Sequence, residues 1–292
     1  MAKNNKLSVV LAVFNEEENI GPCLDSIKEI ADEIVVVDGG STDRTREIAE
    51  SFGARVIETS NPKIFHINKQ KALIAAKNEW ILQLDADEIV SKSLAEEIEK
   101  VIGLDEEEID KYQKSFPRKK RKLFLKHQKL LEERDGTIGL KEGSYAGFFV
   151  PRLNYFLGKY LKYGGVYPDG VIRLVKNGKA HFPAKDVHEQ IVVEGKVGWL
   201  QNDLIHMADP TFKRYLERNS RYINLIADDL KRDKVGKNPL VFIDYYLIKP
   251  IFWFFSTQLG HKGILDGIQG IIFSFFSALR FPRAYYRYLT KR

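Results

Sequence analysis

Cysteine is nearly absent from this sequence, which has one, Cys23, among its 292 residues. An intramolecular disulfide is therefore excluded, and the composition fits a reducing compartment. The first apolar run, residues 7–14, is short and leads directly into polar residues, so we expect no secretory signal. In the apolar C-terminal region the longest run without a charge, residues 267–279, has 13 residues. That run is shorter than the ~20 residues that a helix needs to span a bilayer.

Two familiar nucleotide-binding signatures are also missing. No expected strand is followed by Gly-x-Gly-x-x-Gly, and the pattern Gly-x4-Gly-Lys-Ser/Thr does not occur. These absences argue against a dinucleotide-dependent dehydrogenase and against a P-loop enzyme. The 46 basic residues outnumber the 40 acidic ones and give a net charge of +6. This surplus suits an anionic partner, such as a nucleotide, a phospholipid surface or nucleic acid.

Apolar runs alternate with helical patterns over the first hundred residues. The runs typical of buried strands lie near residues 7–14, 33–37, 54–57 and 80–84, and amphipathic stretches lie between them. Such an alternation predicts a parallel sheet with right-handed crossovers, flanked by helices. Ligands of these sheets bind at the carboxyl ends of the strands.

Polar clusters follow three of these expected strands. Asn15 and Glu16 follow the first, residues 38–43 follow the second, and Asp85 and Asp87 end the apolar run that begins at residue 80. Because the carboxyl ends of parallel strands share one edge, we expect the three clusters to converge on one crevice. Two carboxylates at a sheet edge favour a hard cation such as Mg²⁺ or Mn²⁺, held together with substrate phosphates.

These segments carry a specific resemblance. They resemble the nucleotide-binding half of family 2 glycosyltransferases, which have the GT-A fold, and the matching stretches are Val9–Glu16, Ile34–Asp43 and Leu84–Asp87. The resemblance implies that Asn15, Glu16 and Asp38 contact the nucleoside of a nucleotide-sugar donor. It also implies that Asp85 and Asp87 hold the ribose, the metal and the diphosphate. Turn formation is the alternative role for Asp38, since Asp and Gly are turn residues in any protein.

A narrower resemblance covers the second half of the chain. The motifs Pro-Arg-Leu-Asn-Tyr-Phe-Leu-Gly (residues 151–158) and Tyr-Gly-Gly-Val-Tyr-Pro-Asp (residues 163–169) are similar to bacterial lipopolysaccharide core glycosyltransferases described as β-1,4-glucosyltransferases. Val-His-Glu at residues 187–189 and Leu-Ile-His at residues 204–206 extend it. The resemblance excludes residues 105–141, a charged stretch that we expect to be a helical insertion.

The acceptor side needs a base, because transfer with inversion requires removal of the acceptor hydroxyl proton. The resemblance to the GT-A fold implies that Glu189 is this base, because it follows the sheet residues where that fold places its acceptor-side carboxylate; His188 and Asp186 are the alternates. By resemblance to other GT-A enzymes His206 is a third metal ligand; a histidine hydrogen-bonded inside a turn is the alternative.

Three further side chains are candidates for phosphate or acceptor contacts. Lys71 lies on a helix that enters the expected crevice, and a solvated lysine is its alternative role. Asp169 and Arg173 are candidates for holding the acceptor or a phosphate. A structural ion pair is the alternative for both.

The C-terminal region, residues 211–292, is expected to be helical and to associate with a membrane surface. From residue 240 onward the sequence has seven basic and two acidic residues, and Phe and Trp are interleaved with them. This composition favours an interfacial region on anionic lipid, and buried packing or a dimer contact is the alternative. We expect no nucleic-acid partner, because no recognised nucleic-acid module is present.

Together these observations predict an α/β protein of the GT-A type, with a Rossmann-like, mostly parallel sheet flanked by helices. The expected parts are a nucleotide-sugar-binding half (1–104), the insertion (105–141), an acceptor-side half (142–210) and the C-terminal region (211–292). The expected function is metal-dependent, inverting sugar transfer from a nucleotide sugar, with UDP-sugars favoured, to a lipid-linked saccharide. The expected location is the inner face of the cytoplasmic membrane, as a peripheral protein. A polyprenyl-phosphate glycosyltransferase and a non-catalytic protein that binds nucleotide or anionic lipid are the alternatives.

Overall fold

A computed structural model describes residues 5–183 and 191–290 of the chain. Its strands are β1 (Leu7–Val13), β2 (Glu33–Asp38), β3 (Arg55–Glu58), β4 (Trp80–Leu84), β5 (Glu88–Val90), β6 (Tyr145–Val150), β7 (Arg152–Phe156), β8 (Lys159–Leu161), β9 (Val171–Lys176), β10 (Ala180–His181), β11 (Val192–Val193), β12 (Lys196–Trp199) and β13 (Leu204–Asp209). Its longer helices are α1 (Ile20–Asp25), α2 (Thr45–Ser51), α3 (His66–Ala75), α4 (Lys92–Ile102), α5 (Glu106–Lys114), α6 (Arg118–Asp135), α7 (Phe212–Arg232), α8 (Pro239–Ile243), α9 (Lys249–Phe255), α10 (Ile268–Ala278) and α11 (Arg280–Thr290).

The chain divides into two compact units. The first comprises Met1–Arg152 and Pro168–His206, and the second comprises Leu153–Tyr167 and Met207–Arg292. The four functional parts expected from the sequence (1–104, 105–141, 142–210 and 211–292) stay a prediction.

The first unit is built on a seven-stranded sheet in the order β12-β6-β9-β4-β1-β2-β3. Neighbouring strands from β4 to β3 run parallel, as do β12 and β6, whereas β9 runs antiparallel to both of its neighbours. The sheet is thus mostly parallel and flanked by helices, and the expected fold class is confirmed. The central strands are nearly continuous apolar runs because helices cover both faces of such a sheet.

The core of the first unit explains why β1 and β4 form. Leu7, Val9 and Leu11 of β1 are fully buried, and all five residues of β4 are buried. The three β1 residues pack in one cluster with Trp80, Leu82 and Leu84 of β4 and with apolar residues of α1 and α4. Burial of this kind contributes roughly 1.5–3 kcal/mol per large apolar side chain, and it fixes the strand ends that carry the polar clusters.

Residues 105–141 contain α5 and α6. Asp105 caps α5 through its side chain, which accepts from the backbone N–H of Glu108 at 2.9 Å, while Glu108 Oε2 accepts from the backbone N–H of Asp105 at 3.0 Å. This reciprocal arrangement satisfies two of the amide groups that a helix start leaves without partners.

Among the described residues of the second unit, one helix is long and apolar enough to cross a membrane, by length and composition alone. It spans Pro239–Gly260, 22 residues with a mean hydropathy of 1.2 in its apolar window. Two charged residues of this helix, Asp244 and Lys249, form a salt bridge with each other at 2.8 Å. A π turn at Asp244–Ile248 lies just before Pro250, whose ring and missing N–H disturb α-helical hydrogen bonding.

A buried carboxylate joins two loops of the second unit. Asp266 is 3% exposed, and its oxygens accept from the backbone N–H groups of Lys162 at 3.1 Å and of Tyr163 at 2.9 Å. The backbone N–H of Gly164 donates to the carbonyl oxygen of His261 at 2.9 Å. The turn before α10 therefore holds the loop at residues 162–164 in place.

Candidate functional site

The register of the parallel strands brings the three polar clusters to one sheet edge. Val13 of β1 pairs with Asp38 of β2, and Leu11 of β1 pairs with Leu84 of β4. The residues that follow β1, β2 and β4 therefore leave the sheet at nearly the same level. The structure thus places the segments of Asn15, Asp38 and Asp85 along one edge, where ligands of such sheets bind.

The turn after β1 is tied to the turn after β2. Asn15 has a positive φ of 53°; its backbone N–H donates to Ser41 Oγ at 2.9 Å, and its Oδ1 accepts from the backbone N–H of Thr42 at 2.8 Å. Glu16 Oε2 accepts from Asn19 Nδ2 at 2.7 Å. Asn15 thus shapes the edge of the crevice by fixing both turns.

Asp38 is fully buried and organises the turn that follows it. Its Oδ2 accepts from the backbone N–H groups of Gly40 at 3.0 Å and Ser41 at 2.9 Å, and the Ser41 hydroxyl donates to its Oδ1. A carboxylate has about four acceptor positions. The turn-forming role weighed for Asp38 is present, and contact with a nucleoside stays a prediction.

Asp85 lies between two cations directly after β4. Its Oδ1 is 2.5 Å from Lys69 Nζ, and its Oδ2 is 2.5 Å from Arg173 Nη2. The backbone N–H of Asp85 donates to Glu88 Oε2 at 3.0 Å. Both carboxylate oxygens of Asp85 therefore have a strong charge-assisted bond, the shortest class in proteins.

The charged network continues beyond Asp85. Glu88, which is fully buried, lies 2.7 Å from Arg173 Nη2 and 3.3 Å from Arg152 Nη1. Arg152 Nη2 in turn lies 2.9 Å from Asp169 Oδ2. Three cationic and three anionic side chains are linked, so their charges balance within the crevice; the set is Lys69, Asp85, Glu88, Arg152, Asp169 and Arg173.

The network shifts the pKa values of its members. Burial favours the neutral form of Asp85, but Arg173 and Lys69 outweigh it and hold the pKa of this carboxyl well below its usual range. Burial lowers the pKa of Lys69, and Asp85 offsets part of that effect. For Arg173 burial acts against the charge, yet Asp85 and Glu88 raise its pKa above the usual value. The shifts of Asp85 and Arg173 therefore favour their charged forms at neutral pH.

The low pKa of Asp85 predicts a pH-dependent contribution to stability. An ordinary aspartate in the unfolded chain has a pKa of about 3.9. The stabilisation from Asp85 should therefore be complete above that pH and be lost as the pH falls through its lower, folded-state pKa. We expect urea unfolding to show a large gap in stability between the wild type and Asp85→Asn at neutral pH. That gap should shrink below about pH 4, and a gap that stays constant down to strongly acidic pH would contradict the assignment.

Asp87 and His206 form a second pair near this network. Pairing of β13 with β5 sets His206 opposite Glu88, and His206 Nε2 lies 3.6 Å from Asp87 Oδ2. Both side chains are partly exposed, at 14% for His206 and 21% for Asp87. A carboxylate beside an imidazole is a donor set that fits a divalent cation when phosphate oxygens supply further ligands.

Protein ligands beyond this pair are scarce. Within residues 5–183 and 191–290, no group of three or more His, Cys, Asp or Glu side chains is arranged to hold a metal ion. Asp85, the other expected metal ligand, has both oxygens bonded to cations. The geometry therefore favours Asp87 and His206 over Asp85 as metal ligands.

The remaining candidates fall into two groups. Lys71 is exposed, and its ammonium donates to Thr59 Oγ1 at 2.5 Å, whereas Lys69, two residues earlier on α3, is the lysine that contacts Asp85. Three candidates for the base lie outside the described residues, namely Asp186, His188 and Glu189.

Comparison with known proteins identifies the family. A family model described as "Glycosyl transferase family 2" matches residues 8–156, just over half of the chain. The chain belongs to glycosyltransferase family 2. The matched range contains the three strand-end clusters of this family 2 chain, and the resemblance expected from its sequence is confirmed.

Relatives of this family 2 protein match it over different lengths. It is 26% identical to the lipopolysaccharide core biosynthesis glycosyltransferase LpsC of Rhizobium meliloti, over 94% of this chain and 91% of LpsC. It is 42% identical over 99 residues to an uncharacterized glycosyltransferase of Rickettsia bellii. That match covers 34% of this chain and 33% of the relative, so the chain spans only about a third of that protein's length. A solved structure of glucosyl-3-phosphoglycerate synthase from Mycobacterium tuberculosis, with Mn²⁺, UDP and glucosyl-3-phosphoglycerate, is 31% identical, with a TM-score of 0.27, over 29% of this chain and 34% of that one.

Proposed function

We propose that this protein is an inverting glycosyltransferase that moves a sugar from a nucleoside-diphosphate sugar, with UDP-sugars favoured, to a lipid-linked saccharide. The acceptor class follows from the similarity to LpsC along nearly the whole chain, which favours the lipopolysaccharide core or a similar cell-envelope glycan. The observation that carries the proposal is the position of Asp85 and Asp87 at the carboxyl edge of the parallel sheet, beside the turns of Asn15 and Asp38.

The donor side is assigned from the contacts of this edge. Asp87 and His206 would hold Mg²⁺ or Mn²⁺ together with the diphosphate, and the metal, when bound, would offset the charge of the departing diphosphate. Lys69 and Arg173 keep Asp85 ionised and fixed at the centre of the crevice. Asp85 is then available to the donor through those acceptor positions that its two cationic partners leave open.

The roles of the acceptor-side residues are assigned from the chemistry that sugar transfer with inversion requires. Glu189 removes the acceptor hydroxyl proton while the donor's anomeric carbon is attacked from the side opposite the leaving nucleotide; His188 and Asp186 remain the alternates. The contacts of Asp169 with Arg152, and of Arg173 with Asp85 and Glu88, favour the structural role weighed for these two residues.

A membrane location is part of the proposal. The helix at Pro239–Gly260 leaves Leu240 79%, Phe252 71% and Leu259 67% exposed. Apolar exposure on this scale, next to a basic C-terminal segment, favours contact with anionic lipid. We place it at the inner face of the cytoplasmic membrane, where nucleotide sugars and a lipid-linked acceptor meet.

Calorimetric titration tests the donor site. We expect UDP to bind the wild-type protein in the presence of Mn²⁺ and to bind much more weakly without it, because the metal links Asp87 to the diphosphate. Asp87→Ala should abolish the metal-dependent part of binding, whereas Glu99→Ala, at an exposed carboxylate of α4, should bind as the wild type does. GDP and CDP serve as competitors for specificity. Failure of all three nucleotides to bind would contradict the proposal and favour a non-catalytic protein that binds anionic lipid. Metal-independent binding would remove the metal from the proposal.

A further inference from the structure

The positive charge of the protein is concentrated in one part of the first unit. Residues 111–131 contain nine Lys or Arg and no Asp or Glu. Without these nine, the 46 basic residues of the chain fall to 37, fewer than its 40 acidic residues. The surplus that suits an anionic partner thus depends on this segment, which is mostly α6.

Contacts along the inner side of α6 hold it firmly against the sheet. Phe124 is 1% exposed, and its ring stacks on Trp199 with centroids 4.4 Å apart. Nε2 of His127 accepts from the backbone N–H of Gly170 at 3.0 Å, and Lys120 Nζ donates to the carbonyl oxygen of Gln201 at 2.5 Å. The helix is therefore an ordered platform, which distinguishes it from a charged run that is merely solvated.

The outer side of α6 carries a dense basic surface. We call it the basic face of α6, and its members, all exposed, are Arg118, Lys119, Lys122, Lys126 and Lys129. At about 100° per residue these positions lie together on the side opposite Phe124. One of them, Lys129, has an acidic neighbour, with Glu133 at 3.7 Å. The basic face runs from Arg118 to Lys129 and therefore extends over about 17 Å at 1.5 Å per residue.

Exposed leucines flank the basic face on both sides. Leu123 is 38%, Leu125 51% and Leu130 54% exposed. Leu123 and Leu130 are seven residues apart on one flank, and Leu125 lies on the other. Leucine side chains gain free energy when they leave water for an acyl-chain boundary.

We propose that the basic face of α6, with its flanking leucines, is a docking surface for anionic phospholipid. The lysines and arginine would lie at the headgroup phosphates, and the leucines would enter the boundary below them. This proposal rests on the proposed function only because it takes a membrane as the place of reaction. It adds a lipid contact in the first unit to the lipid contact proposed for the C-terminal region. Binding to an anionic surface strengthens with the apolar area buried and with the electrostatic attraction, so a further contact would add to the affinity for the membrane.

Nucleic acid is the less favoured occupant. Single-stranded nucleic acid is bound through aromatic rings on which bases stack. The aromatic residue of α6 other than His127 is Phe124, which is buried against Trp199. Exposed leucines beside the charges have no role on a phosphate backbone, whereas they suit lipid.

Vesicle co-sedimentation with matched charge variants tests the proposal. The test variant is Lys119→Gln, Lys122→Gln and Lys126→Gln in one full-length chain. The control removes the same charge at three exposed lysines elsewhere in the first unit, through Lys92→Gln, Lys100→Gln and Lys179→Gln. On vesicles in which about one third of the lipid is phosphatidylglycerol, the test variant should bind roughly 100-fold more weakly than the wild type, and the control within about threefold of it. Glutamine is a good helix former, so the folded state should be retained in both.

Two further arms separate lipid from other anions. Leu125→Gln with Leu130→Gln should weaken vesicle binding but leave binding of a duplex DNA probe, measured by fluorescence anisotropy, unchanged. The proposal would be overturned if the test and control variants lost vesicle binding equally, or if the leucine substitutions left vesicle binding unchanged. It would also be overturned if the test variant lost DNA binding but kept vesicle binding. Sugar transfer in detergent should be the same in the test variant and the wild type. A protein without transferase activity whose vesicle binding still depends on the three lysines would refute the proposed function and leave the docking surface standing.

Discussion

Replacing Arg173 with methionine should lower the free energy of unfolding by about 3–5 kcal/mol, the usual cost of removing one partner from a buried ion pair. Arg173 bonds both Asp85 and Glu88, and the carboxylate of Glu88 is fully buried. Methionine would fill similar space but leave the two carboxylates with less compensation. Urea unfolding at neutral pH measures the effect.

Arg44→Met is the matched control for this variant. Its guanidinium pairs with Glu47 on the surface, where both side chains are about 70% exposed, at 70% and 69%. A pair of this kind is worth between about 0 and 1 kcal/mol. Equal losses of stability in the two variants would show that the network around Asp85 contributes no more to stability than a surface ion pair does. Arg173→Lys should recover only part of the loss, because an ammonium cannot match the planar fork that serves two carboxylates.

Glu189→Gln should lower the turnover of sugar transfer by roughly 10²–10⁴-fold, the usual contribution of a general base. Glutamine keeps the size of the side chain but cannot accept the acceptor proton. Donor binding, followed by calorimetry with UDP and Mn²⁺, should be retained because the assigned donor residues are untouched. A radiolabelled-sugar transfer assay measures the turnover.

The alternates supply the controls for the base. His188→Gln and Asp186→Asn should each have a smaller effect than Glu189→Gln. Unchanged turnover in Glu189→Gln would remove Glu189 from the role. If all three variants were fully active, an acceptor that is already an anion, such as a polyprenyl phosphate, would explain the result, because it needs no strong base.

The parallel sheet was predictable because its signal is local. Each central strand is a short apolar run that ends in polar residues, and helical patterns separate the runs. The register that pairs Val13 with Asp38 brings the ends of the two apolar runs to the same level.

The charged network was not predictable, because its contacts join distant parts of the chain. Arg173 reaches Asp85 across 88 positions, and Arg152 reaches Glu88 across 64. The contact of Lys69 with Asp85 shows the same limit, while the phosphate contact expected for Lys71 stays a prediction. Lys69 and Lys71 are two residues apart on α3 and therefore face different sides of it, so only the orientation of the helix decides which one meets Asp85.

Asp266 has a practical consequence for protein production. A biochemist seeking a more soluble sample would be tempted to shorten the chain before the exposed apolar helix at residue 239. The shortened chain would lack the carboxylate that receives the backbone N–H groups of Lys162 and Tyr163. Its loop at residues 162–164 would lose these hydrogen bonds, so the shortened chain would be a poor substitute for the 292-residue chain in acceptor screening. Purification of the chain with residues 239–292 retained keeps Asp266 and its two hydrogen bonds.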